Sequence, residues 1–183
     1  MSEGADIVGS ADGPEIVWQG KFITTVREGR WEYVTRARGI HAAVILAIDD
    51  AADGRHVLLV EQYRIPIHKR CIELPAGLVG DDSAGEDAAV AAQRELEEET
   101  GYAAAQWENA GEFYSSPGMV GESFTLMIAR GLAKVGAGGG VDSEDIVTHR
   151  VPVDGAADFI AAKRAEGCAI DVRVAMLLAG GWI

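Results

Sequence analysis

The sequence predicts an α/β fold: a mixed β-sheet with helices on its faces, preceded by an N-terminal β-hairpin. Three observations predict it. Apolar, β-branched runs recur along the chain, a helix-forming segment stands between them, and two further helical segments close it. That order, with no internal repeat and no linker, reads as one layered unit. A length of 183 residues suits a single domain, which at this size buries roughly 70% of its unfolded surface.

Residues 1–15 are rich in Gly, Asp and Ser and are expected to be disordered. KFITTVR and RWEYVTR flank Glu28-Gly29, which reads as the two-residue turn of a hairpin within residues 16–40. The rest, 41–183, reads as the main domain. Its first strands are AAVILAI (42–48) and HVLLVEQY (56–63), joined by the turn-like DDAADG. Those turn acids lack the alternating pattern of a calcium loop and read as solvated. RIPIHKRCIELPAGLVGDDSAG (64–85) is rich in Gly and Pro and reads as irregular. From Glu86 to Thr100 the residues are helix formers, stopped by Gly101. QWENAGEFYSS and SFTLMIARGL read as strands around the loop SSPGMVGE. Residues 133–145 form a Gly-rich segment expected to be flexible. IVTHRVPV reads as a strand, GAADFIAAKRAEG and IDVRVAMLLAGG as helices.

Composition narrows the function. Sixteen basic against 29 acidic residues give a net charge of −13, which repels phosphate backbones, so nucleic acid is not an expected partner. The start has no basic n-region followed by an apolar stretch, and the longest apolar run, Ala42 to Ile48, cannot span a bilayer. No membrane partner is expected. Cys71 and Cys168 form neither a disulfide framework nor a metal spacing, which points to a reducing cytoplasm. His41, His56, His68 and His149 have no metal or triad spacing.

The segment 80–102, GDDSAGEDAAVAAQRELEEETGY, carries the chemistry. On a helix, Glu95, Glu98 and Glu99 share one face. Like charges so spaced destabilise a helix unless something positive lies between them. The preceding PAG leaves backbone carbonyls free to point inward, and oxygens of both kinds suit a hard cation. Spacing alone leaves two readings open, a solvated acidic face and a metal site.

The same stretch resembles the Nudix box, G-x5-E-x7-R-E-(apolar)-x-E-E-x-G-(apolar). Gly80, Glu86, Arg94, Glu95, Leu96, Glu98, Glu99, Gly101 and Tyr102 stand at its specified positions. The resemblance implies an α/β/α sandwich and hydrolysis of a nucleoside diphosphate linked to another group. It implies that Glu95 and Glu99 carry Mg2+, or alternatively Mn2+, with Glu98 nearby and the Ala76 carbonyl as a backbone ligand. Glu86 and Arg94 are implied to form a bracing salt bridge.

Beyond the box, VEQYRIPI…CIELPAGLVG, SSPGMVGE with Pro117, VDSEDIV and AIDVRVAMLLA look like the ADP-ribose (ADP-sugar) pyrophosphatase branch. The resemblance makes Arg64 and Arg36 phosphate-contacting candidates and adds Glu122 in the proline loop. It also places Phe22 and Trp31 on the adenine, where the branch carries tryptophan at the first position. In the expected register Phe22 pairs with residue 35, about 13 Å of strand from Trp31, too far for one base. A homodimer joined through residues 17–36 would supply the second aromatic. A water nucleophile needs a carboxylate free of metal to take its proton. The branch places that base in the loop 133–145, where counting back from Pro152 selects Glu144, with Asp142 in reserve and Glu98 as a further catalytic candidate. The expected reaction is hydrolysis of ADP-ribose to AMP and ribose 5-phosphate. Two alternatives are another nucleotide sugar such as GDP-mannose, and a nucleotide sensor that does not cleave.

Overall fold

The computed structural model describes residues 13–37, 40–80, 86–141 and 144–179, with side chains to residue 175. Most of the segment expected to be disordered lies outside the described residues. Three antiparallel strands come first: β1 (Glu15–Gln19), β2 (Ile23–Glu28) and β3 (Trp31–Arg36), in the order β1-β2-β3. The last two are the expected hairpin, and β1 adds a strand that composition had concealed. Glu28 pairs with Trp31, so the turn is Gly29-Arg30, one residue later than expected. Gly29 takes a φ of 58°, which the first central position of a primed hairpin turn requires and only glycine adopts cheaply. The Ala37 N–H donates to the Phe22 carbonyl at 3.0 Å. Phe22 therefore lies opposite residue 37 rather than 35, about 20 Å of strand from Trp31.

Among the described residues the main sheet has eight strands. They are β4 (His41–Ala51), β5 (Gly54–Arg64), β6 (Lys69–Glu73), β7 (Ala76–Val79), β8 (Tyr102–Tyr114), β9 (Ser123–Lys134), β10 (Val147–Pro152) and β11 (Ala169–Ile170). The path runs β11-β6-β5-β4-β9-β8, with β10 on β5 and β7 on β4. β4 runs parallel to β9 and β6 to β11, the other pairs being antiparallel, so the sheet is mixed. The segment expected to be irregular thus holds two strands. Its prolines mislead because they stand at the joints: Pro66 in a 3-10 turn between β5 and β6, Pro75 between β6 and β7.

β4 explains the layering. Val44, Leu46 and Ile48 enter one core with Leu59, Ile72 and Phe124, while Ala43, Ile45 and Ala47 enter a second. A strand buried on both faces reads as a continuous apolar run, not an alternating one. Helix α1 (Ala88–Glu95) covers the second face with Ala91 and Ala92. Helices α2 (Ala156–Ala165) and α3 (Val172–Ala179) cover the first through Ile160 and Val174. This is the expected α/β/α sandwich. No helix among the described residues is long and apolar enough to cross a membrane.

One buried charge ties the α2 side together. The Glu61 carboxylate on β5 meets Arg70 Nε at 2.6 Å, His149 Nε2 at 3.0 Å and Lys163 Nζ at 3.0 Å. Burial pushes this carboxyl up, but hydrogen bonds from Lys163, His149 and Arg70 outweigh it and hold it at about 2. A carboxyl depressed on folding adds stability above its unfolded pKa and loses it as pH falls through the folded one. Wild-type protein is therefore expected to unfold at a higher temperature than Glu61→Gln above about pH 4.5. The gap should close as pH falls toward about 2, in melting curves read by circular dichroism. A gap independent of pH would contradict this account of the network.

Candidate active site

Asp87 caps α1, its carboxylate accepting from the Ala89 N–H at 2.8 Å. The helix continues into a π-helical turn, Leu96–Thr100, and Gly101 ends it with a φ of 72°. Such widened turns are frequent at functional sites. Here the turn buries Glu99, only 4% exposed, while Glu98 stays partly exposed. Gly80, like Gly101, takes a positive φ, 85°, which favours glycine. Glu86 accepts from the Gly80 N–H at 3.1 Å and stands 3.9 Å from Arg94 Nε, so the bracing ion pair is present though long. The shorter bonds of Arg94 run from Nη1 to Glu95 at 2.8 Å and to Glu98 at 3.3 Å.

The PAG segment meets these carboxylates. The Ala76 N–H donates to Glu99 Oε2 at 3.0 Å. A Cβ on Gly77 would overlap the Glu95 carboxylate, so this position admits only glycine while Glu95 lies there. Burial pushes the Glu99 carboxyl up to about 8, with the Ala76 amide opposing and Glu95 and Glu144 adding like charge. Burial also raises Glu95, with Arg94 opposing and Glu98 and Glu144 adding to the rise.

The described part of the Gly-rich segment expected to be flexible is tied to the end of the helix. The N–H groups of Gly139 and Gly140 donate to the carbonyls of Glu99 and Glu98, each at 2.9 Å. Helix-end carbonyls lack intrahelical partners, and this strap supplies them. A Cβ on Gly138 would overlap the backbone at Thr100 and Gly101, which fixes glycine there. Glu144 reaches the cleft from this loop, and its carboxylate accepts from the Val141 N–H at 3.0 Å.

Arginines line the same cleft as the acids. The cleft, of about 720 Å³, is lined by Glu95, Glu99 and Glu144 together with Arg36, Arg64 and Arg173. Arg64 is held in a fork by Glu73, at 2.6 and 2.7 Å. Arg173 is held by Asp171, at 2.7 and 2.8 Å, and passes 3.5 Å from Glu73. Arg36 meets Glu122 at 2.6 Å. That contact joins β3 to the proline loop, as do bonds from the Val34 N–H to the Met119 carbonyl and from the Gly121 N–H to the Val34 carbonyl. Pro117 sits second in the turn that Ser116 closes, where its fixed φ is favoured. Cys71 also lines the cleft, but burial, aided by Glu73, pushes its thiol up to about 12. It is not an activated nucleophile.

The fold thus brings Arg36, Arg64, Ala76, Glu95, Glu99, Glu122 and Glu144 to one cleft. Glu98 stands beside it on Arg94. Phe22 and Trp31 are 56% and 49% exposed on the N-terminal sheet and do not line it. Asp142 lies outside the described residues. Sequence reading missed Glu73 and Arg173. A lone acid inside the apolar stretch Cys71–Leu74 was the available signal for Glu73, which is 2% exposed. Among the described residues no three His, Cys, Asp or Glu side chains converge as a ready metal site. Arg94 draws Glu95 and Glu98 to itself, and Ala76 holds Glu99. The donor set still fits a hard divalent cation, which would offset the mutual repulsion of two buried carboxylates.

A family model described as NUDIX domain matches residues 39–167. The chain belongs to the Nudix family. The Nudix domain here is 39% identical over 124 residues to a "Methanol dehydrogenase activator" of Bacillus methanolicus, covering 67% of this chain and 64% of that protein. It is 34% identical over 106 residues to an "ADP-ribose pyrophosphatase" of Bacillus subtilis, covering 58% and 54%. The chain thus spans less than two-thirds of either relative. A "GDP-mannose pyrophosphatase" of Cronobacter sakazakii is 32% identical over 149 residues, covering 77% and 72%. Among solved structures, an "ADP compounds hydrolase" superposes with a TM-score of 0.67 at 18% identity, covering 93% of this chain and 92% of that one. That likeness supports the fold.

Proposed function

We propose that this Nudix protein is a cytoplasmic hydrolase that splits the pyrophosphate of ADP-ribose, or a related ADP-sugar, into AMP and ribose 5-phosphate. The observation that carries the reading is that carboxylates, one of them the buried Glu99, and arginines line one cleft together. Such a pairing suits a diphosphate that must be both neutralised and attacked. Glu95 and Glu99, with Glu98 and the Ala76 carbonyl, would hold Mg2+ or Mn2+. The bound cation would polarise phosphoryl oxygens and lower the pKa of the attacking water.

The remaining work belongs to side chains. Arg64, preset by Glu73, and Arg36, preset by Glu122, bind the diphosphate oxygens. Glu144 is the general base. It is near enough to Glu95 and Glu99 to raise both, yet it sits on a separate loop and stays free to accept a proton. Phe22 and Trp31 bind the adenine in a homodimer. β1 is exposed along its whole length, and Ile16, Val17 and Trp18 stand out with those two aromatics. An apolar surface of this kind suits a two-fold partner.

The named relatives favour two bases, adenine and guanine. A panel of nucleotide sugars with magnesium decides between them: release of AMP from ADP-ribose supports the proposal, and preferential release of GMP from GDP-mannose contradicts it. Binding without metal-dependent turnover would instead indicate a sensor. On ADP-ribose, Glu144→Gln is expected to cut kcat by about 10²-fold or more with KM largely kept. Near-normal kcat would remove Glu144 from the role. Light scattering at micromolar concentration is expected to give twice the chain mass. A fully active monomer would refute the shared adenine site.

A further inference from the structure

Arg70 on β6 lies outside the cleft lining. Its Nε donates to Glu61 Oε1 at 2.6 Å and its Nη2 to the Glu61 carbonyl at 3.1 Å. Glu61 is itself buried and pinned by His149 and Lys163. One edge of the guanidinium is therefore fixed to the sheet. The other edge reaches the loop that carries Glu144: Nη1 donates to Asp145 Oδ2 at 2.8 Å and Nη2 to the Asp145 carbonyl at 3.2 Å. On the near side of Glu144, Gly139 and Gly140 are tied to the end of the α1 segment.

The contact does little for the fold. Asp145 is 80% exposed at its side chain, and a solvent-facing ion pair contributes little to stability. What it does fix is the backbone immediately after Glu144, bound at carbonyl and side chain together. A displacement of about 1 Å at a reacting group can cost roughly 10²-fold in rate.

We propose that Arg70, anchored on Glu61, is a positioning residue that clasps Asp145 and so sets Glu144 toward the attacking water. The proposal rests on Glu144 acting as the base. It is tested with Arg70→Gln, Asp145→Ala, Glu144→Gln and the double variant Arg70→Gln/Glu144→Gln, as full chains with magnesium and ADP-ribose. Arg70→Gln is expected to lower kcat about tenfold or more with KM within about twofold. In the Glu144→Gln background the same change should cost less than about twofold, because the group it positions is gone. Asp145→Ala, which leaves the Glu61 network intact, should lower kcat in the same direction. Hydrogen exchange at the amides of 144–146, read without substrate or metal, should quicken in both Arg70→Gln and Asp145→Ala.

Unchanged exchange, or an unchanged kcat in Arg70→Gln while Glu144→Gln is impaired, overturns the clasp alone. An equal loss in both backgrounds also overturns it, since Arg70 would then act through something other than Glu144. A Glu144→Gln protein with normal kcat overturns the base reading, and the clasp with it.

Discussion

A carboxylate buried at the end of a helix is costly unless something is arranged around it, and much of this molecule is arranged around Glu99. Its side chain accepts the Ala76 amide. Its carbonyl accepts both the Gly139 N–H and the Thr148 hydroxyl, the latter at 3.1 Å. β7, the Gly-rich strap and β10 therefore all meet at one residue of the π-turn. The glycines follow from the same crowding. Gly77 yields its side-chain space to Glu95, and Gly138 presses on the turn that ends the helix.

The remaining uncompensated quantity is charge. Glu99 and Glu95 are both raised, by burial first and by acidic neighbours as well. Arg94 supplies one positive group to Glu95 and Glu98, and the charge of Arg64 opposes the rise at Glu99. In the proposed function a divalent cation would supply what these cannot, and would also offset the charge of an acidic protein toward an anionic diphosphate. Three arginines of the cleft are each fixed by a carboxylate: Arg36 by Glu122, Arg64 by Glu73 and Arg173 by Asp171.

Legibility of the sequence followed the range of the forces. Strands β4, β5, β9 and β10 and the three helices were readable because burial on one or both faces writes itself into local pattern. β6 and β7 were not, because Pro66 and Pro75 mark joints that look like interruptions and because Ala76–Val79 is a strand only by pairing with β4. The hairpin turn slipped by one residue since both Glu28-Gly29 and Gly29-Arg30 offer a glycine, and only pairing across β2 and β3 decides. In the site, the glutamates were legible from helical spacing and from the resemblance. The Gly-rich strap read as flexible from composition, whereas its amides are taken up by carbonyls remote in sequence. Glu73 and Arg70 matter through partners on other elements, Arg64 for the one and Glu61 and Asp145 for the other, which no short window contains.

The central claim, that the buried carboxylate exists to hold a cation at the expense of stability, is tested most directly by melting Glu99→Gln against wild type at pH 8.5, with and without magnesium. A carboxyl raised on folding to about 8 lowers stability as pH rises above its unfolded value, and the whole penalty is present above the folded one. Without magnesium the neutral isostere is therefore expected to melt higher than wild type, and only wild type should gain stability when magnesium is added. A Glu99→Gln protein that melts lower than wild type and is still stabilised by magnesium would contradict the account.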